Sequence, residues 1–105
     1  MTVSRRKSKT NLFDLVLIWI PDYANEFDGL KFALQLPFAP GEGLLIELDD
    51  EYFHQTTMPR LGSVIWNVRK QSFYSFIKFE PDGIDGEEFE RRTHKRLLQN
   101  GWTEM

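Results

Sequence analysis

Between Leu61 and Glu80 two runs of alternating apolar residues flank the polar tetrad Arg69-Lys70-Gln71-Ser72, the signature of a β-hairpin. A hairpin this apolar needs a sheet around it, so a sheet is the expected centre of the fold. With Lys70-Gln71 as a two-residue tip, Arg69 faces Ser72, Val68 faces Phe73, Trp66 faces Ser75 and Val64 faces Ile77. One side of the hairpin then carries Val64, Trp66, Val68, Phe73, Ile77 and Phe79, the expected core. The other carries Ile65, Asn67, Arg69, Tyr74, Phe76 and Lys78, a mixture of rings, aliphatics and charge. A slip of one residue would exchange these faces.

After Pro81-Asp82-Gly83 the period changes to that of a helix over residues 86–100. Asp85 with Glu88 three residues on forms a capping box, Glu87, Glu88 and Glu90 fill the first turn, and Arg91, Arg92, Lys95 and Arg96 crowd toward the end, all matching the helix dipole. Gly101 is a left-handed terminator, with Trp102 packing back on Leu97 as the apolar contact of a Schellman cap. The apolar stripe is narrow: Phe89, Thr93 and Leu97, with Leu98 beside it. Such a stripe needs an apolar landing site, and the Tyr74 and Phe76 face of the hairpin is the expected one.

Upstream, Leu12 to Ile20 is rich in β-branched and aromatic residues and stops at Pro21, as a strand buried on both faces would. Lys31 to Leu36 alternates, with Phe32, Leu34 and Leu36 opposed to Lys31, Ala33 and Gln35, and reads as a half-buried strand. Leu44 to Leu48 starts another, after the break Pro37-Phe38-Ala39-Pro40-Gly41-Glu42-Gly43. Asp49 to Arg60 has no period and is expected to be a long surface loop. Short strands with a Pro/Gly corner resemble SH3-like and other small barrels. The expected fold class is mainly β (α+β): a small, strongly bent antiparallel sheet or SH3-like barrel of about five strands with one C-terminal α-helix.

At 105 residues the chain suffices for one domain that buries about 60–68% of its unfolded surface, so no metal or disulfide is needed to hold it. Residues 1–10 have no apolar periodicity and read as a disordered basic tail, and residues 11–105 as the single domain. The absence of cysteine removes disulfides and thiolate metal sites and favours a reducing compartment. Cytoplasmic localisation is the expectation. The run Leu12–Ile20 is too short to span a bilayer and is interrupted by Asp14, and Pro21-Asp22-Tyr23 offers no cleavage site for a secretory leader. No membrane partner is expected.

The net charge of −3 conceals an asymmetry. Arg5, Arg6, Lys7 and Lys9 lie in the tail, leaving nine basic against sixteen acidic groups, −7, on the rest. A body this acidic opposes wholesale phosphate binding, so nucleic acid would enter through that tail or a local patch.

Catalytic chemistry finds little support in the pattern. Asp49, Asp50, Glu51 and His54 match no calcium-loop spacing, and no second His lies near, so a solvated strand end is the better reading and no metal is expected. His94 sits among helix cations with no nucleophile to serve and reads as a surface residue. Gly41-Glu42-Gly43 lacks the helix that makes a glycine loop a phosphate cradle. No catalytic residue and no cofactor is assigned.

Two candidate binding groups remain. Tyr52, Phe53, His54 and Met58 put rings and a thioether in an irregular segment, the composition of a protein-binding patch. Arg69, Tyr74, Phe76 and Lys78 interleave rings with cations on a strand face, as single-stranded nucleic-acid binders do. Trp19 and Trp66 are assigned to the core. The leading expectation is a non-enzymatic protein-interaction or adaptor module that binds another protein through the Tyr52–Met58 segment and an exposed sheet edge, an edge that also admits homo-oligomers. The alternative is a small module for single-stranded DNA or RNA, with charge from Arg5, Arg6, Lys7 and Lys9 and stacking from Tyr74 and Phe76.

Overall fold

A computed structural model describes residues 12–46, 60–79 and 86–105. Five strands and one helix follow in the order β1 (Phe13–Trp19), β2 (Leu30–Leu36), β3 (Val64–Asn67), β4 (Ser72–Ile77), α1 (Gly86–Gln99) and β5 (Thr103–Glu104). The strands make one sheet in the order β3-β4-β1-β2-β5.

The apolar run at Phe13–Trp19 takes the central position, paired antiparallel with β2 and parallel with β4. A central strand meets neighbours on both sides, and Leu15, Leu17, Ile18 and Trp19 are all buried. The alternation of β2 sorts as expected: Leu30 is buried and Phe32, Leu34 and Leu36 half-buried, while Lys31, Ala33 and Gln35 are exposed.

The sheet is mixed and open, which corrects the expectation of an antiparallel or barrel-like sheet. After β2 the chain crosses the sheet and returns at its far side as the β3–β4 hairpin, so β4 enters beside β1 in the same direction. Strands β3 and β5 are the edges and do not pair with each other. The expected strand at Leu44–Leu48 is reduced to a single bridge, Leu45 with Arg60, and its last two residues lie outside the described residues. Conversely, β5 is a polar pair of residues too short to announce itself.

The hairpin register differs by two residues from the expected one: Trp66 faces Phe73 and Asn67 faces Ser72. A two-residue tip of the favoured type needs positive φ at both central residues. Only Gln71 adopts it, at 54°, and the turn widens to Val68–Gln71. The Asn67 Oδ1 accepts the Lys70 N–H at 2.9 Å and the Gln71 side chain donates to the Val68 carbonyl at 2.7 Å. Because the slip is even, both faces keep their residues. Val68, expected in the core, sits in the turn and is 71% exposed.

Helix α1 covers the face opposite to the expected one. Leu97 and Trp102 join Leu15, Leu17, Trp19, Leu30, Leu61, Ile77 and Phe79 in one buried cluster, and the Trp102 ring stacks on Phe32 at 5.3 Å. The stop forms as expected: Gly101 has φ 94°, the Trp102 N–H donates to the Leu97 carbonyl at 3.0 Å, and the Gly101 N–H to that of Leu98, a Schellman cap. The buried stripe is Glu90, Thr93 and Leu97, while Leu98 is 41% exposed. Glu90 is a buried carboxylate that accepts the N–H groups of Asp22, Tyr23 and Ala24 at 2.6, 2.8 and 2.7 Å. This clamp, invisible to a reading that counts Glu as surface, selects the helix face and fixes it to the β1–β2 connection. His94 is likewise no surface residue: its ring stacks on Phe27 at 3.9 Å, with Phe27 stacked on Trp19.

Candidate interaction surface

With α1 on one face, the other is left open among the described residues. Strand pairing sets Ile65, Tyr74, Val16 and Ala33 in a row across four strands, and Phe76, Ile18 and Lys31 in the row beside it. Phe76 is 50% and Ile65 38% exposed, and Tyr74 is half-buried. The Tyr74 and Phe76 rings meet edge to face at 6.0 Å and 81°, a favourable arrangement for two rings. At one end of the face Gln35 donates to the Asp14 carboxylate at 2.9 Å.

Sequence reasoning grouped Arg69, Tyr74, Phe76 and Lys78, and the structure divides them. Tyr74 and Phe76 form the ring pair. Arg69 lies exposed in the β3–β4 turn, near the ring row but beyond the strand end. Lys78 follows the other end of β4 and is engaged by Asp22 at 2.5 Å; the hydrogen bond it donates to this carboxylate holds its pKa above the usual lysine value. Tyr52, Phe53, His54 and Met58 lie outside the described residues, as do Asp49, Asp50 and Glu51. Trp66, assigned to the core, is 45% exposed. It lies on the covered side of the sheet, but on the outermost strand, away from α1, which packs nearest β2. Its ring meets Phe73 at 4.8 Å, and Phe73 meets Phe13 at 6.3 Å.

Charge is segregated along the chain in a way the total hides. Leu12–Ile46 carries Asp14, Asp22, Glu26, Asp28 and Glu42 against Lys31 alone. Arg60–Phe79 carries Arg60, Arg69, Lys70 and Lys78 and no acid at all. The hairpin is therefore a basic, ring-bearing edge on an otherwise acidic body. This signal was present in the sequence and was obscured by summing over the whole body.

A hollow of about 200 Å³ beside α1 is lined by Trp19, Asp22, Tyr23, Lys78, Phe89 and Glu90. Its charged groups are spent: Glu90 on three backbone N–H groups, Asp22 and Lys78 on each other. Among the described residues no group of three or more His, Asp or Glu could hold a metal ion, and no helix is long and apolar enough to cross a membrane. No protein-family model matches the chain, and neither the curated proteins nor the solved structures give a match.

Proposed function

We propose that this protein is a non-enzymatic interaction module that receives a protein partner on the open sheet face and the hairpin beside it. The observation that carries the reading is the patch of Ile65, Tyr74 and Phe76, uncovered among the described residues, on a sheet whose opposite face holds α1 and the buried core. Rings at the centre of a contact and charge at its rim are the usual composition of a binding hot spot. Arg69 and Lys70 in the hairpin turn, which meet no acid side chain among the described residues, specify the partner's chemistry: apolar where it meets Phe76, acidic beside the turn. The test places a photo-crosslinking residue at Phe76 and, in a parallel sample, at the exposed Leu98 of α1. A protein captured at Phe76 and not at Leu98 is then purified and titrated. Binding weakened at least about tenfold by Phe76→Lys supports the reading, and equal capture at both positions, or binding indifferent to Phe76→Lys, overturns it.

A second reading, a module for single-stranded DNA or RNA, draws on the same charge segregation. Leu15 pairs with Phe73, so β1 begins at the end of the sheet where Arg69 and Lys70 lie, and Arg5, Arg6, Lys7 and Lys9 precede it in sequence. Stacking on Tyr74 and Phe76 with backbone contacts to those cations gives affinity that falls steeply with salt. Labelled oligonucleotides titrated at two salt concentrations discriminate: salt-sensitive binding lost on removing residues 1–10 establishes this reading, and no binding at low salt removes it.

A further inference from the structure

We infer that the outer edge of β3 is a vacant strand position that accepts an extended acidic segment of the protein partner. The inference rests on the protein-binding reading above and names the partner's form. Three observations converge on it. First, β3 is the sheet's edge. Just before it the chain is paired: the Leu61 N–H donates to the Leu44 carbonyl and the Gly43 N–H to that of Leu61, both at 2.9 Å, and Leu45 bridges Arg60, but this pairing stops short of β3. The outer backbone groups of Val64–Asn67 have no strand partner among the described residues.

Second, apart from its shortness of four residues, no side-chain device blunts the edge. No Lys, Pro or inward charge interrupts Val64–Asn67, and apolar surface is exposed on both faces of the strand, Ile65 on the open side and Trp66 on the other, at 38% and 45%. An unblunted edge of this kind is a template for strand addition, in which main-chain bonds give affinity and alternate side chains give specificity. Third, cations stand at both ends of the vacancy and no acid stands near them in sequence. Arg69 and Lys70 lie in the turn and meet no acid side chain among the described residues, and Arg60 lies at the other end, its guanidinium on the Gly43 carbonyl at 3.2 Å. A strand with a β-branched residue or two at its centre, to lie against Ile65 or Trp66, and carboxylates at its ends fits this edge.

The experiment uses the full chain and a fluorescein-labelled synthetic peptide alternating valine and glutamate, with a lysine-for-glutamate peptide as control. The expected result is a rise in anisotropy with the acidic peptide alone, protection of the β3 amides from hydrogen exchange in the complex, and binding weakened at least about tenfold by Ile65→Lys. Since Ile65→Lys could act by unsettling the hairpin, Arg69→Glu/Lys70→Glu in the exposed turn supplies a second variant, expected to weaken binding while leaving exchange in the free hairpin unchanged. No binding, equal binding of the lysine peptide, or binding without β3 protection overturns the inference. Protection of β3 that rises with protein concentration and needs no peptide assigns the edge to a second copy, and also overturns it. A partner crosslinked at Phe76 whose affinity survives both edge variants leaves the protein-binding reading standing and removes only the added strand.

Discussion

Around β1, β2 and α1 a core of apolar side chains is shut away from water, with no exposed surface on Leu15, Leu17, Leu30 or Leu97 although Leu98 at the helix end keeps 41%, whereas across the β3–β4 hairpin Ile65, Trp66, Val68 and Phe76 keep between 38% and 71% of theirs. Both regions are built from strands of similar composition. They differ in what lies above them: α1 is held down by Glu90, while nothing among the described residues comparable crosses the hairpin. The contrast teaches where to look for function in a small sheet. Apolar area that contributes to stability is covered; apolar area left at an edge beside unpaired cations contributes little to folding and is available to a partner.

If that division is right, truncation should have unequal effects in the two regions. Leu17→Ala removes a fully buried side chain from the central strand and should cost about 2–5 kcal/mol, measured by chemical denaturation. Phe76→Ser and Trp66→Ala should stay within about 1 kcal/mol. A hairpin truncation as costly as Leu17→Ala would make the exposed rings structural and dissolve the contrast.

Glu90→Ala is the sharper test of what holds the covered region together. It leaves the N–H groups of Asp22, Tyr23 and Ala24 without their acceptor and opens the β1–β2 connection, for an expected loss of about 3 kcal/mol. Hydrogen exchange should show the three amides unprotected while those of β3 and β4 keep wild-type rates. Loss of protection across both regions would mean that hairpin and helix fold as one unit.

The outcome also shows which parts of this molecule were legible in its sequence. The strands at Phe13–Trp19 and Leu30–Leu36, the hairpin and the Schellman cap depend on period and on single residues such as Gly101, so local reasoning reached them. The parallel pairing of β1 with β4 is a property of the long crossing after Leu36, which no local pattern encodes. The covering face of α1 was misassigned because Glu90 lies in its buried stripe, and burial of a carboxylate follows only from three amides more than sixty residues away in sequence. Of the candidate site, Tyr74 and Phe76 were found together because alternate residues of one strand share a face. Lys78 was lost to Asp22, a partner 56 residues distant.

Gly101→Ala probes the end of the covered region at smaller amplitude. A Cβ at φ 94° is strained regardless of space, and the expected cost is about 1–2 kcal/mol. The loss should appear as faster exchange at the Trp102 amide, which donates to Leu97, with the hairpin unaffected.

The smallest effects come from two exposed ion pairs that tie the two regions to the same β1–β2 connection, and their pH dependences have opposite signs. Arg91 of α1 meets Glu26 at 2.7 Å, and its hydrogen bond holds the Glu26 carboxyl below the ordinary 4.5. Unfolding returns that value to the ordinary one, so the pair contributes stability above about pH 4.5 that is lost as pH falls through the lowered folded value. Lys78, at the end of the hairpin, has its value raised above 10.5 by Asp22; its contribution is complete below that pH and is lost as pH rises through the folded value. Both pairs are half or more exposed, so each contributes little and salt should erase it. The measurement is melting temperature against pH at low salt for wild type, Glu26→Gln and Lys78→Met. The Glu26→Gln difference should vanish toward acid and the Lys78→Met difference toward alkali. A Glu26→Gln difference that persists at pH 2 would mean that the contact between Glu26 and Arg91 holds the connection through packing, and that the helix side of the molecule owes it nothing to charge on Glu26.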